Sequence, residues 1–161
     1  MLNVDKIIDI HINNLNNLQN TIKRLSNIGY TLIAISTSII SIFVPLIFSL
    51  NLIKNSKIIM SYTLFLIIVC LFFSNLVNLR NERMFVFIYN QKSKIDIDKI
   101  INNKKSNKDI NIYEEILSFN FQSLKKTNKF SILKSLKSFL SLIWIPIISI
   151  PIASIIFSYI I

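Results

Sequence analysis

Glycine, cysteine and histidine are almost absent from this sequence of 161 residues. The single glycine, Gly29, leaves no phosphate-binding loop of the GxGxxG or GxxxxGK[ST] type, because both need more than one glycine. The lone Cys70 has no partner for an internal disulfide. His11 has no ligand cluster around it at metal-binding spacing, so we expect it on a helix surface, and no Ser-His-Asp set can be assembled with it. The sequence therefore predicts a protein that is not an enzyme, with no cofactor and no catalytic or metal-binding residues.

Charged side chains are missing from three long stretches, residues 25–53, 58–79 and 138–161. Each holds at least about 20 residues, enough to cross roughly 30 Å of hydrocarbon at 1.5 Å per residue. Core helices of a soluble protein are the alternative, but such helices have a polar face, whereas these stretches are apolar nearly all round. Their lack of charge also argues against proton relays and voltage sensing. The predicted fold is all-α: an integral membrane protein with three transmembrane helices and amphipathic cytoplasmic helices.

Acidic residues are few, and the net charge of +10 is unevenly distributed. A soluble protein with this charge would suggest nucleic acid as the partner. Here, however, residues 80–137 hold thirteen of the 18 basic side chains, and Lys54 and Lys57 are the only basic residues between the first two stretches. This is the positive-inside pattern. It predicts a multi-pass protein of the cell membrane in contact with the lipid bilayer and not with nucleic acid, with the N-terminus and residues 80–137 cytoplasmic and the C-terminus outside.

The chain is predicted to divide into four segments. Residues 1–24 have apolar side chains at steps of three or four, which predicts an amphipathic cytoplasmic helix in the headgroup layer, packed on the loop or in a short coiled coil. Residues 25–79 form a transmembrane hairpin of two spans. Residues 80–137 form a basic cytoplasmic helical segment, whose first part prolongs the second span as a helix to about residue 91. Residues 138–161 form the third transmembrane helix.

Small and hydroxyl-bearing side chains recur at helical spacing in each span. In hydrocarbon such a stripe lets two helix backbones approach, because lipid gives apolar faces no reason to associate. We predict that these faces pack against neighbouring helices; the alternative is that they line a water-filled pore in an oligomer. The residues concerned are Thr31, Ala34, Ser38, Ser41 and Ser49 in the first span, Ser74 and Asn78 in the second, and Ser141 and Ser149 in the third.

Two prolines, Pro146 and Pro151, lie inside the third span. Each removes a backbone hydrogen bond and strains the preceding turn, so we predict a kink near the middle of this helix. Neighbouring helices and Ser149 are expected to satisfy the freed carbonyl groups. Among the aromatic residues of this span, Trp144 is predicted to be packed and Tyr159 to lie at a membrane interface.

Five lysines are concentrated just before the third span. Near an anionic leaflet each such charge contributes on the order of 1 kcal/mol, so the cluster is predicted to hold this segment close to anionic headgroups. A topology signal with snorkelling anchors is the plainer interpretation, and recognition of one phospholipid is a narrower one. The cluster consists of Lys125, Lys126, Lys129, Lys134 and Lys137.

The first span opens with the run SNIGYTLIAI at residues 26–35 and follows a juxtamembrane helix. A close second span, a helical segment ending in lysine-rich turns and a third span come after it. This layout is similar to that of the transmembrane effector domain of Pycsar-type anti-phage systems. The resemblance implies a protein that oligomerises on a signal and disrupts the inner membrane. Two other hypotheses stay open: a non-catalytic accessory or structural subunit that docks on partner helices, and a homo-oligomeric channel or transporter.

Overall fold

The structure, a computed structural model, describes residues 4–49, 53–94 and 139–160. No strand occurs among these residues. Three helices are present: α1 (Val4–Ser49), α2 (Lys54–Lys92) and α3 (Phe139–Ile160). The all-α prediction is confirmed, as is the prediction of three helices long and apolar enough to cross a membrane. By length and composition the candidate spans lie within Ile8–Phe48, Lys54–Lys92 and Leu142–Ile160.

Helix α2 is longer than a single membrane crossing requires, at 39 residues. Neither glycine nor proline interrupts it, so the helix continues past the charge-free residues 58–79 as far as Lys92. It ends in a turn in which the backbone N–H of Ser93 donates to the carbonyl oxygen of Tyr89 at 2.8 Å. The predicted helical continuation of the second span is confirmed.

Helix α1 runs without a break through 46 residues, from its polar first part into the first charge-free stretch. The placement predicted for residues 1–24, in the headgroup layer, on the loop or in a short coiled coil, stays a prediction. The helical conformation predicted for these residues is confirmed from Val4 onward.

The described residues fall into two compact units. The first unit contains residues 4–25 of α1 and residues 81–94 at the end of α2. The second contains residues 26–49, 53–80 and 139–160. The divisions within α1 and α2 lie next to the positions where the charge-free stretches begin and end, so the second unit holds the apolar parts of all three helices.

Large apolar side chains from all three helices form the core of the second unit. Trp144 is fully buried, and its ring meets that of Phe72 edge-on at 5.6 Å between centroids, which confirms the prediction that Trp144 is packed. Buried positions recur at steps of three and four along α3 and at steps of four and seven along α1 in this unit, which is typical of helices packed side by side. The core consists of Ile40, Ile47, Leu64, Ile68, Trp144 and Ile147.

Most of the apolar surface of the three helices lies outside this core. Within the most apolar 18-residue window of each helix, only 17%, 22% and 28% of the window is buried inside the protein, for α1, α2 and α3 respectively. Contiguous apolar surface on this scale is unfavourable in water, whereas hydrocarbon surrounds it without penalty. The second unit is therefore that of a small helical membrane protein.

Candidate functional site

Three buried serine hydroxyls join α2 to α3 inside the second unit. Ser158 donates to the backbone carbonyl of Ser154 at 2.8 Å, so its hydroxyl oxygen accepts the proton of Ser61 at 3.0 Å. Because Ser61 donates its only hydroxyl proton to Ser158, it acts as the acceptor towards Ser154, whose hydroxyl donates to it at 3.2 Å. Each of the three protons has one acceptor, and all three side chains are almost wholly buried. We call this group the serine cluster; because every donor is satisfied, it is stable in a low-dielectric interior.

Aromatic side chains surround the same end of the unit, where α2 begins and α3 ends. The hydroxyl oxygens of Tyr62 and Tyr159 lie 3.5 Å apart on an exposed surface. Phe48 of α1 meets Phe157 of α3 edge-on at 6.3 Å between ring centroids. Exposed tyrosines near the end of a span are typical of the boundary between lipid and water. The interface position predicted for Tyr159 stays a prediction, now shared with Tyr62.

Gly29 brings α1 close to α2 near the other end of the unit. A Cβ atom at this buried glycine would lie 3.3 Å from Oδ1 of Asn75 and 3.4 Å from Nδ2 of Asn78. Most real Cβ contacts are longer than these distances, so the missing side chain is what permits the two amides to face the α1 backbone. Asn75 is fully buried, and neither atom of its amide has a hydrogen-bond partner within the described residues. Asn78 differs, since it makes an interaction inside the chain.

Comparisons of the chain with protein-family models, with curated proteins and with solved structures find no match.

The predicted stripe of α1 lies on the exposed side of that helix. Thr31, Ala34, Ser38 and Ser41, which we call the α1 stripe, are all exposed, whereas the core of the unit uses the opposite side of α1. Their hydroxyl protons are bonded within the helix: Thr31 donates to the carbonyl of Asn27, Ser38 to that of Ala34 and Ser41 to that of Thr37, each at 2.9 Å. Within the chain, therefore, the α1 stripe does not pack against another described helix. Packing against a second chain stays a prediction.

The remaining stripe residues differ from one another in exposure. Ser74 and Ser149 are exposed, and Asn78 is buried. Ser49 and Ser141 lie within helices, but their side chains are outside the described part. Among the buried polar residues of the unit, only Asn78 belongs to the predicted stripes; the others are Ser36, Ser61, Asn75, Ser154 and Ser158.

Both prolines of α3 lie inside a helix that continues past them. Each proline lacks the N–H that would bond the carbonyl four residues earlier, at Leu142 and Ile147. Ser149 donates at 2.8 Å to the carbonyl of Pro146, which is neither of these. The role expected for Ser149 is therefore not observed, because its position directs the hydroxyl to the preceding turn. The predicted bend at Pro146 and Pro151 stays a prediction.

Buried titratable groups are found in the first unit, outside the charge-free stretches of the helices. His11 is only 5% exposed, so the expectation of a surface histidine is wrong. Burial lowers the pKa of His11, and the positive charge of Lys92 lowers it further. Burial also lowers the pKa of Lys92 and raises that of the Glu82 carboxyl, against the opposing effect of Arg83.

No group of three or more His, Cys, Asp or Glu side chains in the part of the chain that the structure describes is placed to hold a metal ion. The lysine cluster predicted to meet anionic headgroups, Lys125, Lys126, Lys129, Lys134 and Lys137, lies outside the described residues. The candidate functional positions of the second unit are the serine cluster, Asn75 with Gly29, and the exposed α1 stripe.

Proposed function

We propose that this protein is a non-catalytic membrane protein that self-associates in the bilayer through the α1 stripe, and that the assembled form disrupts the membrane. The observation that carries the proposal is the exposure of the stripe: small residues at contact spacing occupy the side of α1 that the protein's own core leaves uncovered. The resemblance to Pycsar-type effector domains, which implies oligomerisation and membrane disruption, supports the same function.

The chemistry of the α1 stripe favours contact with another helix. Lipid tails are as apolar as leucine, so helices associate in a bilayer by close backbone approach and van der Waals packing, for which small side chains are best suited. The hydroxyl protons of Thr31, Ser38 and Ser41 are already bonded within α1. The stripe therefore needs no water, and this favours helix packing over the lining of an aqueous pore.

The filled core of the second unit supports a mechanism that involves several chains. Trp144, Ile47, Leu64 and Ile68 have no exposed surface, so large apolar side chains fill the centre of the unit where the three helices meet. We therefore propose that a leak across the bilayer forms between copies or in the lipid around them. We propose the orientation given by the basic residues, with the N-terminus on the cytoplasmic side of the cell membrane and the lysine cluster against anionic headgroups.

A non-catalytic accessory subunit is the second candidate, and the internally bonded hydroxyls of the α1 stripe favour it as well. A face that needs neither water nor an outside acceptor docks on any partner helix with small residues. In this case the bound helix belongs to a different protein. A homo-oligomeric channel is the third candidate, and it differs from the effector in its ion selectivity.

The test compares two substitutions at one position of the stripe. Cells expressing the chain are followed with a potential-sensitive dye and with a dye that cannot cross an intact membrane. Depolarisation and dye entry are expected for the unchanged protein and for Ser38→Ala, because the Ser38 hydroxyl bonds only within its own helix. Both are expected to disappear in Ser38→Leu, since a large side chain separates the two backbones.

The control is Leu46→Ile, which changes an exposed apolar residue of the same helix about 80° of helical rotation from Ser38 and is expected to behave like the unchanged protein. Depolarisation that persists in Ser38→Leu would refute assembly through the stripe. Silence of the unchanged protein together with its purification in a larger complex supports the accessory subunit, and a conductance selective for one ion supports the channel.

A further inference from the structure

Asn75 is a polar side chain whose amide no polar group of the described residues satisfies. Its side chain has no exposed surface, and both Oδ1 and Nδ2 lack a hydrogen-bond partner among the described residues. It lies inside the charge-free part of α2, five residues before Arg80. A buried amide without partners is unfavourable in protein and more so in a membrane, where no water replaces the missing bonds.

The contact that encloses Asn75 is formed with a glycine of α1. An added Cβ at Gly29 would already lie 3.3 Å from Oδ1 of Asn75, so there is no space for a water molecule between the amide and the α1 backbone. Glycine offers neither a side-chain donor nor an acceptor. The position of α1 over Asn75 therefore hides the amide and does not satisfy it.

We infer that Asn75 is a latent self-association site, which pairs with Asn75 of a second copy when α1 moves away from α2. This inference rests on the proposed function, because contacts through the α1 stripe are what draws α1 from its place. A primary amide carries one acceptor and two donor hydrogens, so two amides related by a two-fold axis form two reciprocal hydrogen bonds. A second copy of this chain is thus the partner whose chemistry matches the unsatisfied group.

The spacing along α2 provides a reporter of this pairing. Ile68 lies seven residues before Asn75, which is two helical turns, so the two positions share one face of α2. Ile68 is fully enclosed in the core of the second unit. In the bundle as described, a thiol at position 68 is out of reach of another chain, whereas two α2 helices joined at Asn75 bring these thiols together.

The experiment is oxidative cross-linking of the full chain in membranes. The lone native thiol is removed by Cys70→Ser, and Ile68→Cys is introduced. We expect disulfide-linked dimers, and we expect Asn75→Leu to lower their yield about tenfold, the combined effect of the two reciprocal interhelical hydrogen bonds. Asn78→Leu is the matched control, since it removes a neighbouring buried amide that already has an interaction inside the chain. It is expected to leave the yield unchanged.

A second measurement does not depend on the Ile68→Cys substitution in the core. The distribution of oligomers of the otherwise unchanged protein in lipid vesicles is compared with that of Asn75→Leu, and a shift towards the monomer is expected. Equal losses in Asn75→Leu and Asn78→Leu, or the absence of dimers linked at position 68, would overturn the inference. Dimers linked through Ser38→Cys but not through Ile68→Cys would do the same while leaving assembly through the α1 stripe intact.

Discussion

Ser61 of α2 and Ser158 of α3 share a buried hydrogen bond of 3.0 Å between residues 97 positions apart in the sequence. Ser61 also accepts a hydrogen bond from Ser154, so its one hydroxyl connects two turns of α3. Interhelical hydrogen bonds in membrane proteins contribute on average about 0.6 kcal/mol each. Ser61→Ala removes both bonds, and we expect the free energy of unfolding in mixed detergent micelles to fall by about 1 kcal/mol.

Thr63→Val is the control for Ser61→Ala. Thr63 is exposed on the same helix, and its hydroxyl donates to the carbonyl of Ile59 at 2.9 Å within α2. Its removal is expected to leave the free energy of unfolding within experimental error. Equal losses for the two variants would mean that the serine cluster has no special part in joining α2 to α3.

Trp144, the only tryptophan of the chain, reports directly on the packing of the core. Because its side chain has no exposed surface, we expect its fluorescence to be protected both from water-soluble quenchers and from bromine-labelled lipid chains. The control is Ile145→Trp in a Trp144→Phe background, since Ile145 is 63% exposed on the same helix. That variant is expected to be strongly quenched by the labelled lipid, and similar quenching of Trp144 would contradict the core described above.

There is little space for a side chain at Gly29, and two substitutions test how large a side chain this position tolerates. Alanine gains up to about 1 kcal/mol of helix propensity over glycine, and the close contacts with Asn75 and Asn78 offset this gain. We therefore expect Gly29→Ala to be nearly neutral and Gly29→Leu to destabilise the unit by about 1–3 kcal/mol. Ala34→Leu, on the exposed side of α1, should not change the stability of the monomer in detergent.

The lowered pKa of His11 makes the first unit sensitive to acid. A histidine whose folded-state pKa lies below 6.5 binds fewer protons when folded than when unfolded. The contribution of neutral His11 to stability is thus fully present above pH 6.5 and is lost as the pH falls from there through the folded-state pKa. An NMR titration of the imidazole should place its pKa below 6.5, and Lys92→Met should raise it.

The pH dependence of stability that Glu82 causes is opposite to that caused by His11. The two contributions therefore have to be measured separately. The raised pKa of Glu82 means that stability is highest with the carboxyl protonated and falls as the pH rises from 4.5 through the folded-state pKa. We expect a Glu82→Gln protein to keep the loss of stability below pH 6.5, and His11→Gln to abolish it. An unchanged profile in His11→Gln would assign the effect to another group.

The sequence alone was sufficient for the three long apolar helices, because long charge-free stretches leave few alternatives in composition or periodicity. It did not indicate that residues 4–24 and the first span form one continuous helix. It was insufficient for the side of each helix that faces inward. Without water there is no hydrophobic preference between the α1 stripe and the large residues opposite it, such as Ile40 and Ile47. The fit of large side chains around Trp144 decides which side packs, and a list of small residues does not contain that information.

A different pattern carried the missing information. Counting steps of three and four from Trp144 reaches Ile147, Pro151, Ser154 and Ser158, all of which are buried. The burial of Ser154 and Ser158 in the serine cluster therefore follows from the spacing of the buried positions of α3. His11 has the same explanation, since it lies seven residues before the buried Leu18 and so shares its side of α1.

The serine cluster restricts how the bundle can move. Ser154 and Ser158 lie one helical turn apart, and both are hydrogen-bonded to Ser61. Sliding α3 along α2 by even one residue would therefore break both hydrogen bonds. Rotation of either helix about its own axis would do the same. A rearrangement that preserves these bonds must carry α2 and α3 together as a single body, and α1 is then the helix whose tilt is free to change.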